Sequence, residues 1–278
     1  REGQTLLLAA PHRCFEPPLL EHGGRVWGPA LQLYSLRSAR NWGIGDFGDL
    51  AALAAQWAAR GAGLVGVNPL HAMFTHNPWH ASPYSPSSRR MLNVLYLDVE
   101  AIPDFAECAD VQARVLAETF QQRLAVLRAS PMLAYPGVAA AKPEVLRELH
   151  AWFRAQHPAA DSERAQDFHR YRVEQGAALR EHASFEALQT HLHDEDPMVW
   201  GWPAWPAEYR EPESAAVQRF LASHEAEVEY HEYLQWQADR QLAAAAQRCS
   251  RSGMAVGLYL DFAVSVDRGG SDAWGHAG

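Results

Sequence analysis

Near the start of the chain two short apolar runs flank a helix signal, and no other feature restricts the fold as much. Residues 26–36 (VWGPALQLYSL) read as an extended run, and residues 64–67 (LVGV) as a buried strand. Between them Asp46 stands as a helix N-cap, with Asp49 in the negative first turn. Leu50, Leu53, Ala54 and Trp57 then recur at i, i+3, i+4 and i+7, one helical face, and Gly61 and Gly63 end it. Strand, helix, strand is a βαβ unit, whose strands lie parallel and are joined right-handedly. In such sheets the functional loops gather at the carboxyl ends of the strands.

The loop that follows the second of these strands stands out. Asn68 and Pro69 stop the strand, and residues 92–97 read as another extended piece. Between them lie Trp79, Tyr84, His71, His76, His80 and three prolines, Pro78, Pro83 and Pro86. A stretch of this length without secondary structure of its own is usually functional or disordered, and this composition suits a stiff binding surface. Tyr84 sits in Ser82-Pro83-Tyr84-Ser85-Pro86, which reads either as a surface turn with a packed tyrosine or as an aromatic platform. A sugar has an apolar face that a ring covers and a rim of hydroxyls that Ser, Asn and His can bond.

The remainder is mostly helical. Periodicity predicts helices over 111–127, 143–153, 163–180 and 183–193, and one long helix over 213–251. Trp200, Trp202 and Trp205 fall in a turn-rich segment; packing beneath the long helix is favoured over a second sugar platform. Residues 254–260 form a further apolar strand closing on Asp261, which is either a structural cap or a site residue at the sheet edge. Asp267 and Asp272 flank Gly269-Gly270 and read as turn residues, and residues 4–10 are a first strand candidate. This order suits an α/β barrel or an open doubly wound sheet, and no G-x-G-x-x-G run supports a dinucleotide fold.

Composition narrows the function. A formal net charge of −9 argues against nucleic acid. Cys14, Cys108 and Cys249 are far apart and read as free thiols in a reducing, cytoplasmic setting. No apolar stretch approaches the ~20 residues of a membrane span. His224-Glu225 begins like HExxH, but Val228 stands where the second His is required, so solvated or hydrogen-bonded histidines are expected rather than a metal site. The residues supply no clear carboxylate pair for glycosidic chemistry, no Ser/His/Asp motif and no phosphate loop. Arg1 at one end and Gly278, just after a strand, at the other suggest an internal piece of a longer protein.

Three segments carry a resemblance: 30–49 (ALQLYSLRSARNWGIGDFGD), 67–98 (with NPWHASPYSPSSRRMLNVLYLD) and 257–264 (GLYLDFAV). With Trp202-Pro203, Tyr209-Arg210 and Tyr233-Leu234-Gln235-Trp236, they resemble the bacterial 4-α-glucanotransferases, or amylomaltases. The resemblance implies an α/β fold, a partial (β/α)8 TIM barrel with a large helical insertion between early strands. It implies retaining transfer of α-1,4-glucan segments between maltodextrins, a sugar acceptor, and no cofactor or metal. Tyr84 would lie at the sugar cleft with Ser82 beside it, and Asp261 at the end of the third strand; Asn68 and Trp79 complete the candidate substrate-binding set. The family's nucleophile, acid and third carboxylate lie in motifs like Arg-Ile-Asp-His-Phe-Arg, Glu-Asp-Leu-Gly and Thr-His-Asp-Thr, none of which occurs here. The chain alone is therefore expected to be inactive. The expected partition is 1–24 as the end of a preceding β-rich domain, 25–104 as the first βαβ unit with its substrate loop, 105–250 as a helical insertion, and 251–278 as the third strand and its loop. The other readings are an α-glucan hydrolase fragment and a non-catalytic carbohydrate-binding module.

Overall fold

The computed structural model describes residues 7–14, 16–158 and 162–276. Its centre is a three-stranded parallel sheet of β1 (Ala30–Leu31), β2 (Leu64–Val67) and β5 (Gly257–Leu260), with β2 in the middle. Ala30 pairs with Gly66 and Leu31 with Val67; on the other side Leu64 pairs with Gly257 and Val67 with Leu260. Helix α1 (Phe47–Ala58) makes the crossover from β1 to β2. Its start is a closed capping box: the Asp46 carboxylate accepts the Asp49 N–H at 2.8 Å, and the Asp49 carboxylate accepts the Asp46 N–H at 3.3 Å. Arg40 binds both acids, at 2.5 and 2.8 Å, and reaches Asp98 at 2.5 Å. Gly48 lets the helix come this close, since a Cβ there would fall 2.3 Å from Asp98 Oδ2.

After β2 the chain makes a small antiparallel hairpin, β3 (His71–Ala72) with β4 (Ser88–Leu92). The helices α2 (Pro103–Glu107), α3 (Ala109–Leu116), α4 (Glu118–Ala129), α5 (Tyr135–Gln156), α6 (Glu163–Glu195), α7 (Ala215–Ser223) and α8 (Glu225–Arg251) follow, and a short α9 (Ser271–Trp274) comes after β5. Helix α8 packs against both α1 and α6, so the helices share a core with the sheet. Tyr233 and Trp236 of α8 meet Phe153 of α5 at ring distances of 5.3 and 5.6 Å, and the Tyr233 hydroxyl donates to Asp104 at 2.6 Å. Among the described residues no helix is long and apolar enough to cross a membrane.

The parallel order matches the expectation from sequence, while several boundaries differ for identifiable reasons. The extended run 26–36 holds strand only at Ala30–Leu31, because Leu33–Ser35 turns into a 3-10 helix. The piece at 92–97 is also a 3-10 turn, Val94–Tyr96, started by the Asn93 side chain accepting from the Leu95 N–H at 3.0 Å. The strand lies just before it, in β4, so the loop 68–93 is not structureless. The helix expected at 111–127 breaks at Ala117, whose backbone is extended, and the one at 213–251 breaks at His224. Conversely 163–180 and 183–193 merge into α6, kinked at Gly176, whose φ of +56° suits glycine. Helix α5 starts before Pro143 and carries it in its interior. The strand 254–260 is shorter than expected and not buried along its length, since Tyr259 is 65% and Leu260 49% exposed. Of the candidate strand 4–10, residues 4–6 lie outside the described residues and 7–10 are irregular.

A lysine is among the largest buried side chains. Lys142 of α5 is 1% exposed and donates to the carbonyls of Leu95 at 2.7 Å and Leu97 at 2.6 Å, taking up groups that the 3-10 turn leaves open. Burial lowers its ammonium to about 8. The unfolded chain would hold that proton up to the ordinary value near 10.5, so between about pH 8 and 10.5 it binds more protons than the folded one. The contribution of Lys142 to stability should therefore rise with pH across that window, by about 1 kcal/mol per pH unit. Denaturant melts of the wild type against Lys142→Met should show this slope in the wild type alone. Equal slopes would remove the assignment.

Candidate functional site at the carboxyl edge of the sheet

The carboxyl ends of the three parallel strands meet at one edge. The Asn68 N–H donates to Leu31 O at 3.2 Å, and the Asp261 N–H donates to Val67 O at 3.1 Å, so Asn68 and Asp261 stand together there. Their roles differ. Asn68 is 3% exposed, and its side chain is committed: Oδ1 accepts the Leu33 N–H at 2.7 Å, while Nδ2 donates to Pro69 O at 2.7 Å and to Tyr96 Oη at 3.2 Å. It fastens the edge from beneath. Asp261 is half-buried and faces outward.

The Tyr84 hydroxyl donates to Asp261 Oδ2 at 2.9 Å, joining the Pro-rich loop to the end of β5. The ring is 52% exposed, so it is not a packed core tyrosine. The hydrogen bond that the phenol donates to Asp261 holds it above its ordinary range, and the neighbouring negative charge adds to this. Asp261 Oδ1 accepts the N–H of Phe262 at 2.8 Å, and Phe262 is itself 61% exposed. Ser82 is exposed at the head of a turn that the Ser85 N–H closes onto its carbonyl at 3.1 Å. Trp79 is 83% exposed farther along the same loop.

Residues outside the candidate substrate-binding set complete the arrangement. Arg89 of β4 lies over the Phe262 ring at 5.1 Å and donates to the carbonyls of Ala263 and Val264 at 3.1 and 2.9 Å. His71 meets Phe262 edge-on at 4.9 Å and accepts the Ala263 N–H on Nε2 at 3.2 Å, which places its proton on Nδ1. Burial lowers the His71 imidazole, in keeping with a neutral acceptor. Asp272, expected as a turn residue, is a clamp: it accepts from Ser88 Oγ at 2.6 Å and from the Arg89 N–H at 2.9 Å. Asp267 caps its turn, accepting the Gly269 N–H at 2.7 Å, and lies 3.2 Å from His80 Nε2.

The tryptophans divide. Trp205 is fully buried against Phe185 and Trp274, at 5.0 and 5.7 Å, whereas Trp200 stays 39% exposed beside His80 and Phe74. His231 lies 3.2 Å from Glu227, one helical turn before it, rather than completing a zinc motif. Among the described residues Asp104, Glu107 and His157 come within metal-ligand spacing, but Arg164 bridges all three. That guanidinium holds the position a cation would take.

A parallel sheet with an exposed aromatic and a carboxylate at its carboxyl edge is an α/β arrangement whose candidate site lies at the strand ends. The chain belongs to the 4-alpha-glucanotransferase family, whose sequence profile matches residues 31–278. The 4-alpha-glucanotransferase of Haemophilus influenzae is 40% identical over 271 residues, covering 96% of this chain and 39% of that protein. That of Mycobacterium bovis is 40% identical over 262 residues, covering 91% and 34%. The chain thus spans less than half the length of these curated relatives. Among solved structures, amylomaltase from Corynebacterium glutamicum superposes with a TM-score of 0.70 at 30% identity, over 90% of this chain and 32% of that one. Amylomaltase from Streptococcus agalactiae in complex with acarbose shares the fold, with a TM-score of 0.68 at 17% identity over 90% of this chain and 46% of that one.

The Tyr84–Asp261 bond has a direct optical test. Removing both the bond and the charge in Asp261→Ala should return the Tyr84 phenol toward its ordinary value of 10.0. Ultraviolet difference titration, with Tyr84→Phe as the blank, reads this one group. An unchanged titration would mean that the two side chains do not pair in solution.

Proposed function

We propose that this chain forms the N-terminal part of the catalytic barrel of a 4-α-glucanotransferase, and that its sheet edge helps hold the glucan. The single observation that carries the reading is the Tyr84–Asp261 pair at the carboxyl edge of a parallel sheet in a chain of this family. In this reading β1, β2 and β5 are the first three barrel strands, and helices α2–α8 are an insertion between the second and third. Residues 1–24 end a preceding domain, 25–104 carry the first βαβ unit, 105–250 the insertion, and 251–278 the third strand with its loop.

The parent enzyme would run a double displacement. A nucleophilic carboxylate attacks the glycosidic carbon while an acid protonates the leaving oxygen, and a sugar hydroxyl rather than water then captures the glycosyl-enzyme with net retention. No cofactor or metal enters that sequence. Tyr84 would cover the apolar face of a glucose ring, with its hydroxyl orientation fixed by Asp261, while Ser82 and Asp261 offer bonds to the hydroxyl rim. Trp79 would extend the aromatic surface. Asn68, being buried, would keep the edge in place without touching sugar. Acceptor and donor would both be maltodextrins, handled in the cytoplasm.

Two measurements test the proposal. The 278-residue chain alone, incubated with maltotriose, should give neither glucose nor longer maltodextrins, since it lacks the family's carboxylate motifs. Disproportionation above a blank would refute that. In the full-length enzyme, Tyr84→Ala should weaken transfer about fivefold, roughly 1 kcal/mol, with a nearly unchanged melting temperature. A collapsed melting temperature with normal transfer per folded molecule would make Tyr84 a packing residue.

A further inference from the structure

A second concave site lies apart from the sheet edge. The hairpin β3–β4 and helices α5, α6 and α8 enclose a cavity of about 130 Å³, and Tyr84, Trp79, Asp261 and Phe262 are not among its walls. At about 30 Å³ per water it has room for about four waters, or for one molecule the size of glycerol. We propose that this cavity is a binding site for a small neutral polyol.

Its walls carry one polar group that the described residues leave without a partner and others that are weakly bonded. Tyr230 is 3% exposed, and its hydroxyl has no hydrogen-bond partner among the described residues. Glu186 is 5% exposed, and among the described residues its carboxyl receives only a long contact of 3.5 Å from Thr75 Oγ1. Ala139 and Pro143 also line the space. Proline has no N–H, so the helix cannot give the Ala139 carbonyl its usual partner four residues on. A buried polar group without a partner is costly, and the Tyr230 hydroxyl, with a weakly bonded carboxyl and a carbonyl that lacks its helical partner around the same space, asks for a ligand that both donates and accepts. A hydroxyl does both. Leu146 and Leu234 supply an apolar wall for a carbon skeleton.

The charge balance selects against an ion. Arg147 is spent on Glu227 in a two-pronged pair at 2.6 and 2.7 Å, and Lys142 is turned onto two carbonyls. Burial raises the Glu186 carboxyl to about 8 and lowers the His182 imidazole to about 3, so both are neutral near pH 7. The burial that holds these two side chains neutral would penalise an ionised ligand in the same way, and the Lys142 ammonium, still protonated at pH 7, is already bonded to two carbonyls. The Arg147 side chain, 41% exposed, lines the cavity and also reaches solvent, which marks the way in.

The test is ligand-observed NMR on the full-length protein, titrated with glycerol and, in parallel, with acetate as an anionic probe. Saturable glycerol binding that survives excess maltotriose is expected, with acetate weaker. Tyr230→Phe should weaken glycerol binding about five- to tenfold and leave the melting temperature equal or higher, because it deletes a buried hydroxyl that has no partner. Ala139→Leu should fill the space and abolish binding; if that variant does not fold, Tyr230→Phe decides. Preference for acetate, displacement of glycerol by maltotriose, unchanged affinity in Tyr230→Phe, or no saturable binding would each overturn the proposal.

Discussion

One guanidinium holds the front of this fold together. Arg40 meets Asp46, Asp49 and Asp98, three carboxylates that are each nearly inaccessible to water. Through them it joins the loop after β1, the first turn of α1 and the chain leaving the 3-10 turn at Val94–Tyr96. Three acids this close repel one another, and burial with the neighbouring Asp46 charge pushes Asp98 up to about 6 even with Arg40 beside it. Taking the arginine away would leave buried carboxylates without a counter-charge, a change that typically costs about 3–5 kcal/mol. The sheet edge depends on the same frame, since the Asn68 side chain bonds back to Leu33, just before this loop, and to Tyr96, just ahead of Asp98.

The parts of the fold that were legible in the sequence are those fixed by local chemistry. The capped helix α1 and the apolar strand at Leu64–Val67 announce themselves because a cap, a helical stripe and a buried run each need only nearby residues. The hairpin does not. His71–Ala72 is only two residues long, and β4 reads Ser-Arg-Arg-Met-Leu, neither apolar nor alternating, so its pairing rests on distant partners such as Asp272 and Gln235. The break at His224 was hidden for a similar reason, as helix formers continue on both sides of it.

The site shows the same division. Tyr84 and Asp261 could each be singled out, one by its Pro-fixed loop and one by its place at a strand end. Their contact joins residues 177 positions apart and follows from the topology rather than from either motif. Arg89 and Phe262 had no local mark at all, and His71 stood out only as one of several histidines in its loop, since what the three do is hold one another. Asn68 was visible as a strand terminator, but the direction of its side chain is set by tertiary packing.

The parallel pairing of β2 with β5 also has a consequence in time. His71 and Ala263, which join the hairpin to the segment after β5, are 192 residues apart. At ordinary synthesis rates of 5–20 residues per second, a ribosome needs about 10–40 s to travel that far. Until then β2 has β1 on one side and an open row of amides and carbonyls on the other, the kind of edge that invites wrong partners. The seven helices are synthesised during that wait, and α8, the last of them, packs against α1 beside the sheet in the folded chain. The long helical stretch therefore sets a delay on the pairing of β2 with β5, and slowing or speeding translation through it should change how much of the chain reaches the native register.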